Sequence, residues 1–345
     1  MASKEQSKCA VIGASGYAGE ELVRLLLAHP LAELVQVTSR QSVGKRLDQV
    51  FPRFAHQRKT LIFTDSDSES VLGNANIVFL ALPHGVSAER AKAFLDGGVR
   101  VIDLSADFRL GNAETYREFY AKDHPAPDLL KRAVYGLPEV YHQKIADADL
   151  VACPGCYPTS ILLPLLPLIR EKLIDPTDIT VASLSGVTGA GRKVEADYLF
   201  AECNESARPY GVPKHRHLSE IEQEVRRVTK TELVIQFVPH LVPMNRGIIS
   251  TIFLRPAADV DEKETEAVYN DAYRTEPFVR LLGSRLPDTK NVIGTNFIDI
   301  SWKLDPRTGR LIVMSAIDNL VKGTSGQAIQ CLNLMCGYPE TAGLL

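Results

Sequence analysis

The stretch Ala10-Val11-Ile12-Gly13-Ala14-Ser15-Gly16-Tyr17-Ala18-Gly19-Glu20-Glu21-Leu22-Val23 decides the fold. A short apolar strand runs into three glycines spaced three apart, and an amphipathic helical pattern follows. Glycines at that spacing permit a tight turn, a close approach of main chain to a pyrophosphate and close packing of helix on strand, while the helix start offers N–H donors to the anion. The strand-turn-helix context separates this from a Gly-rich turn that only packs. Gly13, Ser15, Gly16, Tyr17 and Gly19 are therefore candidate cofactor-binding residues. An NAD site would carry Asp or Glu about 20 residues on, against the ribose hydroxyls. The chain has Ser39-Arg40 there. A hydroxyl beside a guanidinium suits a 2′-phosphate, so NADP(H) is expected; the plainer reading of Arg40 is a solvated charge at a strand end.

Around this turn, β-rich runs at 8–12, 34–38, 77–81 and 99–104 alternate with helical patterns at 20–28 and 88–95, the rhythm of a parallel α/β sheet. An apolar helical segment at 158–172 opens a different half. Its longer runs at 179–184, 232–239, 247–254 and 311–316, with helices at 218–229 and 262–274, suggest a mixed α+β domain. The tail at 324–335 is helical again, with Ala328, Ile329, Leu332 and Met335 at three- and four-residue spacing.

At 345 residues the chain is long enough for two domains of about 150 residues each. Its 39 Lys and Arg against 42 Asp and Glu leave a net charge of −3, which argues against a nucleic-acid backbone binder. The most apolar stretch, 161–169, is interrupted by Pro164 and Pro167 and falls short of the roughly 20 residues that span a bilayer. The polar first nine residues lead into an apolar run too short for a signal-peptide core, so no membrane association and a cytoplasmic location are expected. Six irregularly spaced cysteines do not form a disulfide framework, and an important one is expected to be reactive rather than structural.

The segment Cys153-Pro154-Gly155-Cys156-Tyr157-Pro158-Thr159 sets a thiol at a helix start, with Pro158 in the first turn. The helix dipole and the N–H groups of that turn stabilise a thiolate, and the same donors suit an oxyanion. Cys156 is thus a candidate nucleophile. Two other readings stand beside it: a small buried hydrophobe, or a Cys153/Cys156 redox pair. No second Cys-x-x-Cys exists to complete a metal site, and none is expected.

The nucleotide turn, the segment 154–159 and the stretch His215-Arg216-His217-Leu218-Ser219-Glu220-Ile221 together resemble the N-acetyl-gamma-glutamyl-phosphate reductases. The likeness runs essentially end to end, taking in Asp103-Leu104-Ser105-Ala106-Asp107-Phe108-Arg109, Tyr135-Gly136-Leu137-Pro138-Glu139, Ser185-Gly186-Val187-Thr188-Gly189-Ala190-Gly191-Arg192 and Gly323-Thr324-Ser325-Gly326-Gln327-Ala328. One departure is visible: the family usually has Asn where this chain has Cys153, a second thiol able to form a disulfide under oxidation.

The resemblance implies a fold like that of the aspartate-semialdehyde and glyceraldehyde-3-phosphate dehydrogenases. Residues 1–155 would form a Rossmann domain binding NADP(H), completed by 318–345 through a returning C-terminal helix. Residues 156–317 would form the catalytic and oligomerisation domain, in a homodimer or homotetramer. It implies reductive dephosphorylation of a small-molecule acyl phosphate, N-acetyl-L-glutamyl 5-phosphate, through a thioester on Cys156. A histidine would move the protons. His215 and His217 are taken to point to opposite sides of an extended segment, with His217, bordering the helix, as acid/base and His215 as a substrate contact. Arg109, Arg192 and Arg216 are the expected cationic partners of substrate phosphate and carboxylate, with Lys193 beside them. Ser185, Gly186 and Asn319 are expected near the cofactor. The rival readings are a reductase of a homologous acyl phosphate, such as N-acetyl-aminoadipyl or aspartyl phosphate, and a non-catalytic NADP-binding module.

Overall fold

In the computed structural model, which describes residues 6–56, 60–65, 71–192, 194–258 and 260–345, the chain divides into two units, Met1–Pro154 with Thr324–Leu345, and Gly155–Gly323. The first is built on β1 (Ser7–Ile12), whose residues Cys9 to Ile12 are wholly buried. A strand apolar on both faces needs helices on both faces, and the chain supplies them. The helix α1 (Tyr17–Ala28) leads to β2 (Ala32–Thr38), and after β3 (Phe63–Thr64) and β4 (Ile77–Leu80) come α2 (Ser87–Asp96), β5 (Arg100–Asp103) and α3 (Ala113–Tyr120). Next stand β6 (Val134–Tyr135), α4 (Pro138–Ala146) and β7 (Leu150–Ala152). All pairings are parallel, in the order β3-β2-β1-β4-β5-β7-β6. From β1 the chain winds first to β2 and β3 on one side and then to β4 on the other. That reversal opens a crevice at the carboxyl ends of β1 and β4, the place where such sheets bind ligands.

The loop after β5 is braced by its own acids. Asp107 accepts hydrogen bonds from the Gly85 and Ala88 amides at 2.7 and 3.0 Å and from the Tyr116 hydroxyl at 2.9 Å, fixing the start of α2. Asp103 accepts from the Ser105 amide and hydroxyl. Burial, reinforced by the neighbouring Asp107 charge, pushes its carboxyl up to about 7.

The second unit opens with α5 (Cys156–Arg170), whose residues between the two ends are all buried. Pro164 and Pro167 lie inside this helix, and each removes an N–H from the carbonyl four residues back. Both stripped carbonyls find a hydroxyl: Ser315 donates to the Ser160 carbonyl at 2.6 Å, and Tyr273 donates to that of Leu163. The helix lies on a mixed sheet of β8 (Ile174–Ser185), β9 (Arg208–Pro209), β10 (Ile235–Leu241), β11 (Ile248–Pro256), β12 (Val279–Leu281), β13 (Ile298–Asp305) and β14 (Arg310–Ile317), ordered β12-β13-β14-β11-β8-β10-β9. On its inner face, the Ser160 and Ser183 hydroxyls both bond that of Ser250, at 2.8 and 2.7 Å. Helices α6 (His217–Thr229) and α7 (Glu262–Tyr273) complete the unit. Finally α8 (Gly326–Met335), buried on every side, returns to the first unit beside α1 and α4.

The second crossing falls at 323/324, against 318 expected from sequence. Side chains account for the difference: Asp318 bonds Arg246 and the Gly294 amide, and Asn319 bonds the Gly247 amide and Thr188, all within the second unit. Among the described residues no helix is long and apolar enough to cross a membrane.

Candidate active site

Cys156 is the first residue of α5, with Gly155 as N-cap in an extended conformation, φ −66° and ψ 154°. The thiol is half-buried while the residues around it are buried. A helix start leaves its first amides without intrahelical partners, so a negative charge on Sγ or on a reacting carbonyl oxygen meets N–H dipoles there.

Two glycines bring other chain segments against this residue. A methyl group on Gly155 would lie 2.7 Å from His217 Nε2, so the imidazole edge rests on the main chain immediately ahead of the thiol. A methyl group on Gly323 would lie 2.8 Å from Cys156 Cβ. Glycine is required at both positions by close approach rather than by a special φ.

His217 opens α6, and the two histidines do not diverge as expected. Both are buried, with ring centroids 4.8 Å apart and both rings edge-on to Tyr157. Arg216 between them is helical, φ −57° and ψ −27°, so the segment is a turn rather than extended chain and brings the two rings together. The Nδ1 of His215 accepts the His217 amide at 3.1 Å, capping α6. Burial, and then the adjacent Arg216 charge, push the His215 imidazole down to about 4, so it is neutral at neutral pH.

Glu220 is the residue the sequence reading missed. It lies one turn beyond His217 on α6, is 1% exposed, and its Oε1 accepts the Gly155 amide at 2.8 Å. A carboxylate in the first turn of a helix reads from sequence as a complement to the dipole; its contact 65 residues away carries no local signal.

Ser185 ends β8, and the turn that follows is zipped to residues 244–247. The amides of Gly186, Val187 and Thr188 donate to the carbonyls of Gly247, Met244 and Asn245. Asn319 ties both turns, donating to Thr188 Oγ1 at 3.0 Å and accepting the Gly247 amide at 2.8 Å. Arg192 and Arg216 are exposed; Lys193 lies outside the described residues.

In the first unit, Gly13 takes φ +87°, and a methyl group there would lie 2.4 Å from the Ala81 carbonyl oxygen. One on Gly19 would lie 2.4 Å from the Gly13 oxygen. On Gly16, the N-cap of α1, it would meet only the Gly13 oxygen at 3.8 Å and would fill the open space before the helix start. That is the cradle a pyrophosphate requires, so the turn fits a dinucleotide. Ser39 donates to Ser15 Oγ at 2.9 Å, joining the end of β2 to the turn, and the next residue, Arg40, is exposed. Arg109 has a task the sequence did not foresee: Nε and Nη2 donate to the carbonyls of Cys153 and Leu104 at 2.8 and 2.9 Å.

Comparison with known proteins agrees across the chain. Residues 8–148 match the semialdehyde dehydrogenase NAD binding domain, and residues 156–319 the semialdehyde dehydrogenase dimerisation domain. The chain is 54% identical over 343 residues to an N-acetyl-gamma-glutamyl-phosphate reductase of Akkermansia muciniphila, covering 99% of each. It is 49% identical over 339 residues to that of Geotalea daltonii, covering 98% of this chain and 97% of the relative. Among solved structures, aspartate semialdehyde dehydrogenase II of Vibrio cholerae, complexed with ASA, superposes with a TM-score of 0.75 at 17% identity, covering 96% of this chain and 98% of that one. The Candida albicans enzyme with NADP gives 0.70 at 16% identity, covering 96% and 99%. A nucleotide turn, a helix-start thiol with a buried imidazole against the residue before it, and full-length identity near one half lead to one conclusion: the chain belongs to the N-acetyl-gamma-glutamyl-phosphate reductase family.

Proposed function

We propose that the protein reduces N-acetyl-L-glutamyl 5-phosphate to N-acetyl-L-glutamate 5-semialdehyde with release of phosphate, a step of arginine biosynthesis, using NADPH. The observation that carries the chemistry is the approach of His217 Nε2 to Gly155, one residue ahead of the helix-start thiol. His217 takes the Cys156 proton, and the thiolate attacks the acyl carbon. The Sγ–C bond forms, the carbon–oxygen bond to phosphate breaks, and the electron pair leaves on phosphate, giving a thioester. Residues Gly13 to Gly19 would hold the NADPH pyrophosphate, Ser39 and Arg40 the 2′-phosphate, and Ser185, Gly186 and Asn319 the nicotinamide end. When bound, the cofactor supplies the hydride that reduces the acyl carbon. His217 protonates the oxygen and withdraws that proton as the carbonyl re-forms and Sγ departs. Arg192 and Arg216 are proposed for the substrate carboxylate and His215 as a further substrate contact, while Arg109 holds main-chain carbonyls of its own unit.

The enzyme is proposed to act as a homodimer or homotetramer. The sheet face turned away from α5 supports this, since Leu184 and Phe253 stand 40% and 37% exposed on it. A cytoplasmic setting follows from the chemistry, because Cys156 has to stay reduced beside Cys153.

Two measurements test the reading. Mass spectrometry of enzyme trapped with acyl substrate is expected to find the thioester on the peptide containing Cys156; acylation elsewhere would refute it. Assayed in reverse with phosphate and NADP⁺, N-acetylglutamate semialdehyde is expected to outperform the N-acetylaminoadipate and aspartate semialdehydes, and the opposite order would reassign the substrate.

A further inference from the structure

We propose that Arg246, assigned no role by the motifs above, binds the phosphoryl group of the substrate while Cys156 displaces it. This deepens the function proposed above and rests on it. Arg246 lies in the turn clamped between residues 186–188 and Asn319, and its side chain is 24% exposed. Its Nη1 lies 3.4 Å from Oδ2 of Asp318, a carboxylate with no exposure that also accepts the amides of Gly294, Leu320 and Val321. Those three donors disperse the Asp318 charge, so the aspartate aims the guanidinium without cancelling it.

The same residue connects Arg246 to the nucleophile. The Asp318 carbonyl accepts the Gly323 amide at 2.9 Å, and Gly323 is the residue whose Cα abuts Cys156. Arg246 is therefore anchored through one residue to the wall of the thiol. Of the two anions the substrate carries, the phosphate is bonded to the very carbon that Sγ attacks, whereas the carboxylate stands beyond three further carbons. The phosphate, the nearer of the two anions to the thiol, is the one that a cation tied to that wall meets. A guanidinium fork matches phosphate oxygens, and as the carbon–oxygen bond breaks it stabilises the pair arriving on the leaving oxygen. Arg109 is committed through two nitrogens to main-chain carbonyls, while Arg246 is held by a side chain and keeps partial exposure.

The test is the reverse reaction, in which inorganic phosphate and N-acetylglutamate semialdehyde are varied separately. R246Q is expected to raise KM for phosphate by about tenfold or more while KM for the semialdehyde stays within about twofold. R246K keeps the charge without the fork and is expected to raise KM for phosphate by about threefold. A rise confined to the semialdehyde would show a carboxylate contact and overturn the proposal, as would unchanged constants for both. Should R246Q be too unstable to assay, R246K decides alone, and a phosphate KM equal to wild type overturns it. Wild-type enzyme that fails to oxidise the semialdehyde would instead sink the function proposed above, so the two failures are separable.

Discussion

The Gly155 amide donates to Glu220 Oε1 at 2.8 Å, joining the residue before the nucleophile to the helix that begins with His217. Glu220 and His217 stand three residues apart on one face of α6, so one helical turn meets Gly155 twice, through a carboxylate and an imidazole edge. Any shift of α6 therefore moves the base and the cap of the nucleophile helix together.

Glu220→Ala removes a buried acceptor and is expected to lower unfolding free energy by about 1–3 kcal/mol in urea titration. Turnover should fall by about tenfold or more, with NADP affinity unchanged. Glu220→Gln keeps an oxygen for the Gly155 amide and should fall between; wild-type turnover in the alanine variant would deny the linkage.

The two histidines should separate in different measurements. His217→Asn is expected to lower turnover by about a hundred- to ten-thousand-fold. His215, depressed from 6.5 to about 4, is already neutral there. Its contribution to stability is present above pH 6.5 and is lost as pH falls towards 4, because the unfolded chain takes up the proton first. Between pH 7 and 4.5 that loss is on the order of 2–3 kcal/mol, and His215→Asn should flatten the stability curve by that amount. Parallel curves for variant and wild type would show that His215 titrates normally.

Gly323→Ala places a methyl group 2.8 Å from Cys156 Cβ, with the Asp318 carbonyl oxygen 3.3 Å away on another side. Overpacking of this kind costs about 1–3 kcal/mol. Alkylation of Cys156 by iodoacetamide should change in rate, and turnover should drop, while NADP still binds. Unaltered alkylation and turnover would mean that the loop yields freely.

Arg40→Asp sets a carboxylate where the 2′-phosphate is proposed to lie, and should weaken NADP binding far more than NAD binding. Fluorescence titration with both reduced cofactors measures the ratio, and equal losses would place Arg40 away from the cofactor.

What could be read in the sequence was local. The Gly13 to Gly19 turn and the helix-start cysteine announce themselves because strand, turn and helix signals adjoin, and observed α6 and β2 differ from the expected 218–229 and 34–38 by a residue or two. The strand β13, Ile298–Asp305, went unread although Ile298, Ile300 and Trp302 alternate along it, and β7 is too short at three residues to show a period. Glu220 and Arg246 were invisible for another reason. Their meaning lies in partners 65 and 72 residues away, and a lone charge in a helix turn or a loop looks like any solvated one. The histidines were misread because the segment was taken as extended: Arg216 between them is helical, and even on a strand residues two apart share a side.

The prolines of α5 bear on what the nucleophile helix needs from the rest of its unit. The hydroxyls that satisfy the carbonyls of Ser160 and Leu163 come from Ser315 and Tyr273, 155 and 110 residues further along the chain. During synthesis the nucleophile helix emerges long before either, with two main-chain acceptors that its own sequence cannot satisfy. The dry, native form of the nucleophile helix is therefore completed by a residue of α7 and one of β14, so the helix that carries Cys156 cannot be cut out with its own half of the unit and keep its main-chain bonds.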